Sequence, residues 1–233
     1  MRSRGCGQAE APFDCKAGGA AGLTGGGRPG ARSHMLRKRT RGMRRQKRTD
    51  WAVFVDRDGT VVDEIGYQSD PDRIRVIPGA AGAISKLNKL GIPVVVISNQ
   101  AGVARGLFTP GDLDRVHDRF VELLSAEGAF VDAAYYCPHH PEFDVDCDCR
   151  KPKPGLLLKA SEELGIELGR SFMVGDRLID VQAGRAAGTS TVFLRTGYGL
   201  RELQEHQADI MRTADRVCDD LAQAVDWILD ERL

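Results

Sequence analysis

The stretch that decides the fold is WAVFVDRDGT, Trp51–Thr60, in which an apolar run stops at two aspartates one residue apart. Residues 52–55 are apolar on both faces, which is typical of a strand buried within a parallel sheet. Because side chains alternate along a strand, Asp56 and Asp58 should leave its carboxyl end on the same side. Two carboxylates in one crevice repel each other, so the pattern predicts a bound cation or a shared proton. A surface turn, in which Asp and Gly are also common, is the alternative interpretation.

Strand-like and helical patterns alternate along the rest of the chain. The predicted strands are 52–55, 93–97, 131–136, 171–174 and 191–194, with a short one near 216–218. The predicted helices are 79–90, 112–127, 155–164, 178–187 and 219–230. This alternation predicts an α/β fold with a doubly wound, Rossmann-like parallel sheet that is covered by helices on both faces. Ligands of such sheets bind beyond the carboxyl ends of the strands.

Polar side chains follow several predicted strands at this edge of the sheet. In chain order they are Ser98, Asn99, Gln100, Arg150, Lys151, Asp176 and Arg177, with Asp180 one turn into the next helix. The carboxylates of Asp56, Asp58 and Asp176, with Asp180 as a further candidate, form a set of hard oxygen ligands that suits Mg²⁺. Lys151 and Ser98 could hold a dianion such as a phosphoryl group.

The chemistry that this set predicts is the transfer of a phosphoryl group to a carboxylate. Aspartate is a competent nucleophile toward phosphorus, and a second carboxylic acid could protonate the leaving oxygen. The sequence has no GxxxxGK[ST] loop, which argues against nucleotide-dependent transfer of the P-loop type.

Two pairs of possible metal ligands lie just before Arg150. Cys137 and His139 form the first pair, and Cys147 and Cys149 form the second. Residues at i and i+2 of an extended segment point the same way, so each pair can offer two ligands to one tetrahedral Zn²⁺. The same parity favours His139 over its neighbour His140. Unrelated reduced cysteines on a loop are the alternative.

The first 48 residues differ in composition from the rest of the chain. They hold 13 Lys and Arg against two acidic residues, whereas residues 49–233 hold 20 basic and 31 acidic residues. The segment is rich in glycine and has little periodic apolar pattern, so we predict a disordered arm over 1–48 and one domain over 49–233. The basic cluster 37–48 allows a hypothesis of a different class, a zinc-containing protein that binds nucleic acid, which we favour less. A start at Met35 or Met43 is another interpretation of this segment.

The sequence predicts no membrane association. It has no apolar run of 18 residues and no secretory signal, so we expect reduced or metal-bound cysteines and a cytoplasmic location. We expect a monomer that acts on a small phosphorylated metabolite. Only about twenty residues separate Gly59 from Gly79, which leaves no room there for a large cap domain. His117 stands alone in a helical stretch, and we expect it on the solvated helix surface.

The motifs VFVDRDGT, SNQ, RKPKPG and GDRLID occur in this order over about residues 50–200 and resemble the four motifs of haloacid dehalogenase (HAD) type phosphatases. The resemblance implies that Asp56 is the nucleophile and that Asp58 is the general acid and then the base. It also implies that Ser98 and Lys151 hold the phosphoryl oxygens. Mg²⁺ would bind Asp56, Asp176 and the backbone carbonyl of Asp58, and Asp180 would support the site from the start of its helix.

A narrower resemblance joins CPHHP, CDCRKPKPG and NQAGVARG to the heptose-bisphosphate phosphatases and the related histidinol-phosphate phosphatases. It implies a structural zinc on Cys137, His139, Cys147 and Cys149. The implied substrate contacts are Glu64, Ile65, Gly66, Tyr67, Asn99, Gln100, Ala101, Arg150 and Arg177. Ala101 stands where a heptose-specific relative should have serine, and Arg177 where it should have lysine. The expected reaction is removal of the 7-phosphate of D-glycero-D-manno-heptose 1,7-bisphosphate, with histidinol phosphate as the alternative substrate.

Overall fold

Seven strands form one sheet at the centre of the structure, a computed structural model that describes residues 36–38 and 49–232. In chain order the strands are β1 (Leu36–Lys38), β2 (Val53–Val55), β3 (Val94–Asn99), β4 (Ala133–Cys137), β5 (Phe172–Gly175), β6 (Ser190–Leu194) and β7 (Arg216–Cys218). Their order across the sheet is β1-β4-β3-β2-β5-β6-β7. Strands β2 to β7 are parallel, and β1 pairs with β4 in the antiparallel direction. The predicted doubly wound parallel sheet is confirmed.

The predicted disordered arm falls on residues 1–48, which lie outside the described residues apart from 36–38. Those three residues form β1, an edge strand for which the sequence analysis predicted no element.

Six α-helices cover the sheet within the described residues. They are α1 (Ala80–Lys89), α2 (Pro110–Ala126), α3 (Gly155–Leu164), α4 (Leu178–Ala187), α5 (Gly199–Thr213) and α6 (Leu221–Arg232). Five of them match predicted helices, and α5 was not predicted. This helix buries only Gly199, Glu202 and Ile210, it has few apolar residues, and it kinks at His206 (φ −133°, ψ 28°).

The central strand β2 is apolar throughout because it separates two cores. Val53 and Val55 face a core that includes residues of α1, α2 and α6. Phe54 faces the other core, to which α3 contributes Leu156 and Leu157. Burial on both faces explains the unbroken apolar run in the sequence.

His117 is buried in the first core, so the expectation of a solvated residue is wrong. Its exposed fraction is 3%, and its Nδ1 lies 2.8 Å from the hydroxyl of Tyr136 on β4. The reason is its position, since His117 follows Leu113 by four residues and precedes Phe120 by three on the buried face of α2.

The strand order places a switch point at β2. The chain runs from β2 to β3 and β4 on one side, and continues with β5, β6 and β7 on the other. The carboxyl ends of β2, β3 and β5 are therefore neighbours, and a crevice opens beyond them. None of the described helices has the length and apolar character that crossing a lipid bilayer requires.

Candidate active site

Asp56 and Lys151 form the floor of this crevice. Asp56 directly follows β2, and its backbone N–H donates to Val174 O at 3.0 Å, so the sheet holds its backbone in place. Lys151 Nζ lies 2.9 Å from Asp56 Oδ1 and 2.6 Å from Asp180 Oδ1, and it donates to Ile97 O at 2.8 Å. Burial opposes the charge of this ammonium group, but Asp180 and Asp56 outweigh that effect and raise the pKa of Lys151. The lysine therefore stays positive beside the predicted nucleophile.

Three buried carboxylates, those of Asp56, Asp176 and Asp180, meet at this floor. Each can offer one oxygen to a common ion, with these oxygens within 4.8 Å of one another. Burial, followed by the charges of Asp180 and Asp56, raises the pKa of Asp176 well above its usual value. Among the described residues, no hydrogen-bond donor reaches the buried Oδ1 of Asp176.

One lysine cannot balance three buried carboxylates, so the cluster is short of positive charge. The unpaired Oδ1 of Asp176 and the all-oxygen donor set fit a hard divalent cation such as Mg²⁺. The side chain of Asp58 lies outside this cluster. The predicted contact of Asp58 with the metal is therefore one through its backbone carbonyl.

Asp176 reaches the floor because two glycines leave room for it. Its Oδ2 accepts from Tyr198 N at 2.7 Å. A Cβ atom at Gly59, whose φ is +80°, would lie 2.2 Å from this oxygen, and one at Gly197 would lie 2.3 Å from it. The glycine of the DRDGT motif is thus required both by its left-handed backbone and by the carboxylate packed against it.

Asp58 lies at the edge of the crevice, where two side chains hold its carboxylate. Arg57 Nε donates to Oδ1 at 3.1 Å, and Arg57 Nη2 donates to Oδ2 at 2.9 Å. Gln100 Nε2 donates to the same Oδ2 at 2.8 Å and to Ser98 Oγ at 3.0 Å. Gln100, predicted as a substrate contact, therefore also orients the predicted general acid.

Asn99 holds the backbone of Lys151. Its Nδ2 donates to Lys151 O, and its Oδ1 accepts from Lys151 N, each at 3.1 Å. The end of β3 is thereby fixed to the segment that carries the lysine. Asn99 was predicted as a substrate contact, and the structure gives it this positioning role as well.

A cleft of about 270 Å³ lies above the floor. The predicted residues that line it are Asp56, Asp58, Glu64, Gly66, Tyr67, Ser98, Asn99, Gln100, Ala101, Arg150, Lys151 and Arg177. Ile65 does not line it and is 37% exposed. The lining residues that the sequence analysis missed are Gly102, Arg105, His140, Ile179 and Tyr198. Gly102 and Arg105 belong to the NQAGVARG motif, which could have identified them.

Three arginines make the rim of the cleft positive. Arg150 Nη1 donates to His139 O at 3.3 Å. Arg105 stacks 4.3 Å above the ring centre of Phe143, and its Nη2 lies 3.2 Å from His140 Nε2. The third arginine, Arg177, pairs with a glutamate of α5.

Arg177 is held by a residue of the helix that the sequence analysis missed. Its Nε lies 3.3 Å from Oε1 of Glu202, which is buried on α5. The other oxygen of Glu202 accepts from Leu178 N at 3.0 Å, so Glu202 also caps the start of α4. Asp180 completes this helix start because its Oδ2 accepts from Arg177 N at 3.0 Å.

Glu64 is the acidic residue on the wall of the cleft. Burial raises its pKa to about 7, and the nearby charges of Asp58 and Asp56 act in the same direction. The hydrogen bond from Gly66 N to Glu64 Oε1, 2.6 Å long, opposes this shift in the pKa. Glu64 can therefore both donate and accept hydrogen bonds near neutral pH.

A second ligand cluster lies beside the cleft, at the end of β4. It contains Cys137, His139, Cys147 and Cys149. The Sγ atoms of the three cysteines lie 3.1 to 3.6 Å apart, and His139 Nδ1 lies 3.3 Å from Cys149 Sγ. All three cysteines are free thiols.

The chemistry of this cluster fits a zinc ion. The hydrogen bond with Cys137 and then burial raise the pKa of Cys149, so a cation is needed to keep its thiolate form. The other ring nitrogen of His139, Nε2, lies 3.9 Å from Oδ2 of the exposed Asp144. Because Cys149 directly precedes Arg150, the cluster fixes the segment that enters the cleft.

Comparisons with known proteins agree with this geometry. The family profile described as HAD-hydrolase-like matches residues 148–224. The chain is 42% identical over 164 residues to D-glycero-beta-D-manno-heptose-1,7-bisphosphate 7-phosphatase of Escherichia coli K12, covering 68% of this chain and 86% of that protein. The protein of the same name from Pasteurella multocida is 40% identical over 163 residues, which cover 68% of this chain and 89% of the relative.

Solved structures give the same result. The D,D-heptose 1,7-bisphosphate phosphatase from B. bronchiseptica, crystallised with magnesium and phosphate, superimposes with a TM-score of 0.71 at 35% identity, covering 78% of this chain and 99% of that one. The D,D-heptose 1,7-bisphosphate phosphatase from Burkholderia thailandensis gives a TM-score of 0.58 at 30% identity, covering 77% and 98%. The chain therefore belongs to the heptose-bisphosphate phosphatase family of HAD-like hydrolases.

Proposed function

We propose that this protein is a Mg²⁺-dependent phosphomonoesterase that removes the 7-phosphate from D-glycero-D-manno-heptose 1,7-bisphosphate. The observation that carries the proposal is the floor of the cleft, where Lys151 lies between Asp56 and Asp180 in a cluster of buried carboxylates. The likeness to relatives named for this reaction supports the choice of substrate.

The first step is attack by Asp56 on phosphorus. A carboxylate oxygen of Asp56 forms a bond to phosphorus while the bond to the sugar oxygen breaks, which leaves an aspartyl-phosphate. Asp58 gives its proton to the departing oxygen, so the sugar leaves as an alcohol. In the second step Asp58 takes a proton from water, which attacks the phosphorus and releases inorganic phosphate and Asp56.

Lys151 and Ser98 hold the transferred phosphoryl group in this proposal. The ammonium of Lys151 supplies a fixed positive charge, and the hydroxyl of Ser98, held by Gln100, supplies a hydrogen-bond donor. Asp56, Asp176 and the carbonyl of Asp58 would hold Mg²⁺. When bound, the ion would offset the repulsion between the carboxylates and the incoming phosphate.

The rim of the cleft suits the other end of a bisphosphate. Arg150 and Arg177, together with Arg105, line the cleft and can bind the phosphate that is not transferred. Glu64, Gly66, Tyr67, Asn99, Gln100 and Ala101 also line the cleft and would contact the sugar hydroxyls. We also propose that Ile65 contacts the substrate, because it lies in the same loop as Gly66, which lines the cleft.

Histidinol phosphate is the second candidate substrate. It carries an amine at the end where a bisphosphate carries its second phosphate. Three arginines at that end would repel the amine, so the charge of the rim favours the bisphosphate. The hypothesis of a nucleic-acid-binding protein depends on residues 37–48, and the described residues give no observation that favours it.

We also propose a structural zinc on Cys137, His139, Cys147 and Cys149, and a monomer that works in the cytoplasm. The zinc ligands need reduced cysteines, which fits a reducing compartment.

The test is phosphate release from both anomers of the heptose bisphosphate and from histidinol phosphate, with and without Mg²⁺. We expect Mg²⁺-dependent turnover that is faster for a heptose bisphosphate, and at least a 10³-fold loss of kcat in Asp56→Asn, on the order of what a lost nucleophile costs. Asp63→Asn, which changes an exposed carboxylate near the same motif, is the control and should keep full activity. Faster turnover of histidinol phosphate would overturn the substrate assignment.

A further inference from the structure

A buried row of side chains connects helix α2 to the carboxylate of Asp58. His117 on α2 lies 2.8 Å from the hydroxyl of Tyr136 on β4. The ring of Tyr136 lies beside the guanidinium group of Arg57, whose Cζ is 5.5 Å from the ring centre. Arg57 in turn donates to the carboxylate of Asp58 through both Nε and Nη2. The proposed mechanism gives a role only to the last residue of this row.

Arg57 is an unusual residue for its place. It is 0% exposed and lies on the side of β2 that faces the first core, in line with Val53 and Val55. Burying a charged group is costly unless it is fully paired, and an apolar residue of similar volume is often as stable or more so. Among the described residues, no hydrogen-bond acceptor reaches the buried Nη1 of Arg57.

Two nitrogens of this arginine hold a single carboxylate. Nε and Nη2 both donate to Asp58, and the guanidinium group lies over the ring of Tyr136 in a cation–π contact. The fork of an arginine fixes the plane of a carboxylate as well as its distance. Gln100 holds Oδ2 of the same carboxylate with a further hydrogen bond.

We propose that Arg57, with Tyr136 and His117 behind it, is a positioning unit that fixes the carboxyl group of Asp58 beside the leaving oxygen. The inference rests on the proposed function in one respect, the role of Asp58 as proton donor. Arg57 itself is fully buried and does not line the cleft. Within the described residues no large cap domain covers the cleft, so the buried row, together with Gln100, supplies rigidity to the acid from within the core.

The leaving group of the substrate provides the test. A sugar alkoxide is a poor leaving group and needs the proton of Asp58, whereas p-nitrophenolate is stable and leaves without one. We would follow the first step alone, as sugar release in a single turnover and as the burst of p-nitrophenolate from p-nitrophenyl phosphate. A residue that only supports the fold would slow the first step equally with both substrates.

Three variants make the comparison. Arg57→Met keeps the volume and removes the fork. Tyr136→Phe keeps the ring and removes only the hydroxyl, which contacts His117 and also interacts with Arg57. Tyr135→Phe is the matched control, because its hydroxyl is also hydrogen-bonded, at 2.9 Å to Glu163, but on the opposite face of β4. General acids contribute about 10²–10⁴-fold, so we expect Arg57→Met to slow sugar release about 10–100-fold and Tyr136→Phe to slow it several-fold. The rate of the nitrophenolate burst should change less than about twofold in Arg57→Met and in Tyr136→Phe. Tyr135→Phe should change neither sugar release nor the burst.

Two outcomes would overturn the inference. One is an equal loss on both substrates in Arg57→Met and Tyr136→Phe, and the other is no loss on the sugar substrate. A melting temperature of Arg57→Met at or above that of the parent protein would further show that the arginine is not kept for stability. Asp58→Asn separates this inference from the proposed function. If Asp58→Asn slows sugar release more than the nitrophenolate burst but Arg57→Met slows both equally, only the positioning role of Arg57 is contradicted. If Asp58→Asn slows both first steps equally, the assignment of the acid is itself wrong.

Discussion

Asn99 and Lys151 are joined by two hydrogen bonds of 3.1 Å between the side-chain amide of the first and the peptide group of the second. This pairing fixes the lysine whose ammonium group lies between Asp56 and Asp180. The same pairing occurs far from the cleft, where the amide of Asn88 donates to Phe130 O at 3.1 Å and accepts from Phe130 N at 2.9 Å. The chain therefore contains its own control for the role of Asn99.

The first prediction compares the two asparagines. Asn99→Ala and Asn88→Ala should each lower the free energy of unfolding by about 1–3 kcal/mol, because each leaves a peptide group without its partners. Only Asn99→Ala should also lower kcat, by about tenfold, since a small displacement of Lys151 weakens its hold on the phosphoryl group. Urea unfolding and steady-state kinetics check both effects. An equal loss of kcat in the two variants would contradict the positioning role of Asn99.

The second prediction concerns Glu202, which holds Arg177 from α5. Glu202→Gln should raise KM for a bisphosphate about fivefold with little change in kcat, because the weakened arginine contacts the end that does not react. KM for a substrate with one phosphate should not change. Glu205→Gln, in an exposed pair with Arg201 on the same helix, is the control. A fall in kcat on both substrates would show that Glu202 acts on the floor of the cleft instead.

The third prediction is a dependence of stability on pH. Burial and the charge of Asp56 raise the pKa of Asp180 to about 6, although Lys151 opposes this, and the pKa of Asp176 is also raised. A carboxyl group whose pKa is higher in the folded state binds more protons there than in the unfolded state. Magnesium-free protein should therefore lose stability as the pH rises from about 4 to about 6 and above.

Bound Mg²⁺ should reverse this loss, because its ligands must be deprotonated. We expect added Mg²⁺ to raise the melting temperature more at about pH 8 than at about pH 5. Asp176→Asn should melt higher than the parent protein without magnesium and should gain little when it is added. If Asp63→Asn gave the same changes, the cluster would not be their cause.

The fourth prediction concerns the cysteine and histidine cluster. Cys149→Ser should lose about one zinc per chain and most of kcat, because Cys149 directly precedes Arg150 and Lys151. Cys218→Ser changes a buried cysteine of β7 outside the cluster and should keep both zinc and kcat. Metal analysis and kinetics on the same samples check the prediction. Full activity in zinc-free Cys149→Ser would show that the cluster does not support the cleft.

Much of the site could be predicted because it lies at strand ends. A strand that is buried on both faces is apolar throughout, so its end is visible in the sequence, and Asp56 and Asp58 follow it directly. The residues after β3 and β5 could be placed in the same way. The cysteine and histidine pairs have a spacing that metal ligands require.

The contacts that the sequence analysis missed come from elements with weak patterns or from distant parts of the chain. Helix α5 buries few residues, and Glu202 on it meets Arg177 across 25 positions of sequence. His117 was misplaced because a polar residue on a buried helix face needs a partner from another element, here Tyr136. Such partners depend on tertiary packing, which local periodicity does not report.

Because Cys149, Arg150 and Lys151 follow one another directly, insertions and deletions can be tolerated in some parts of this region and not in others. The loop between His139 and Cys147 is largely exposed and can gain or lose residues, which would reshape the mouth of the cleft and its selectivity. The interval from Cys149 to Lys151 has no such freedom, since one inserted residue would separate the anchored thiol from the lysine at the floor. New substrates should therefore be acquired through the length of the loop, while Cys149, Arg150 and Lys151 stay in register.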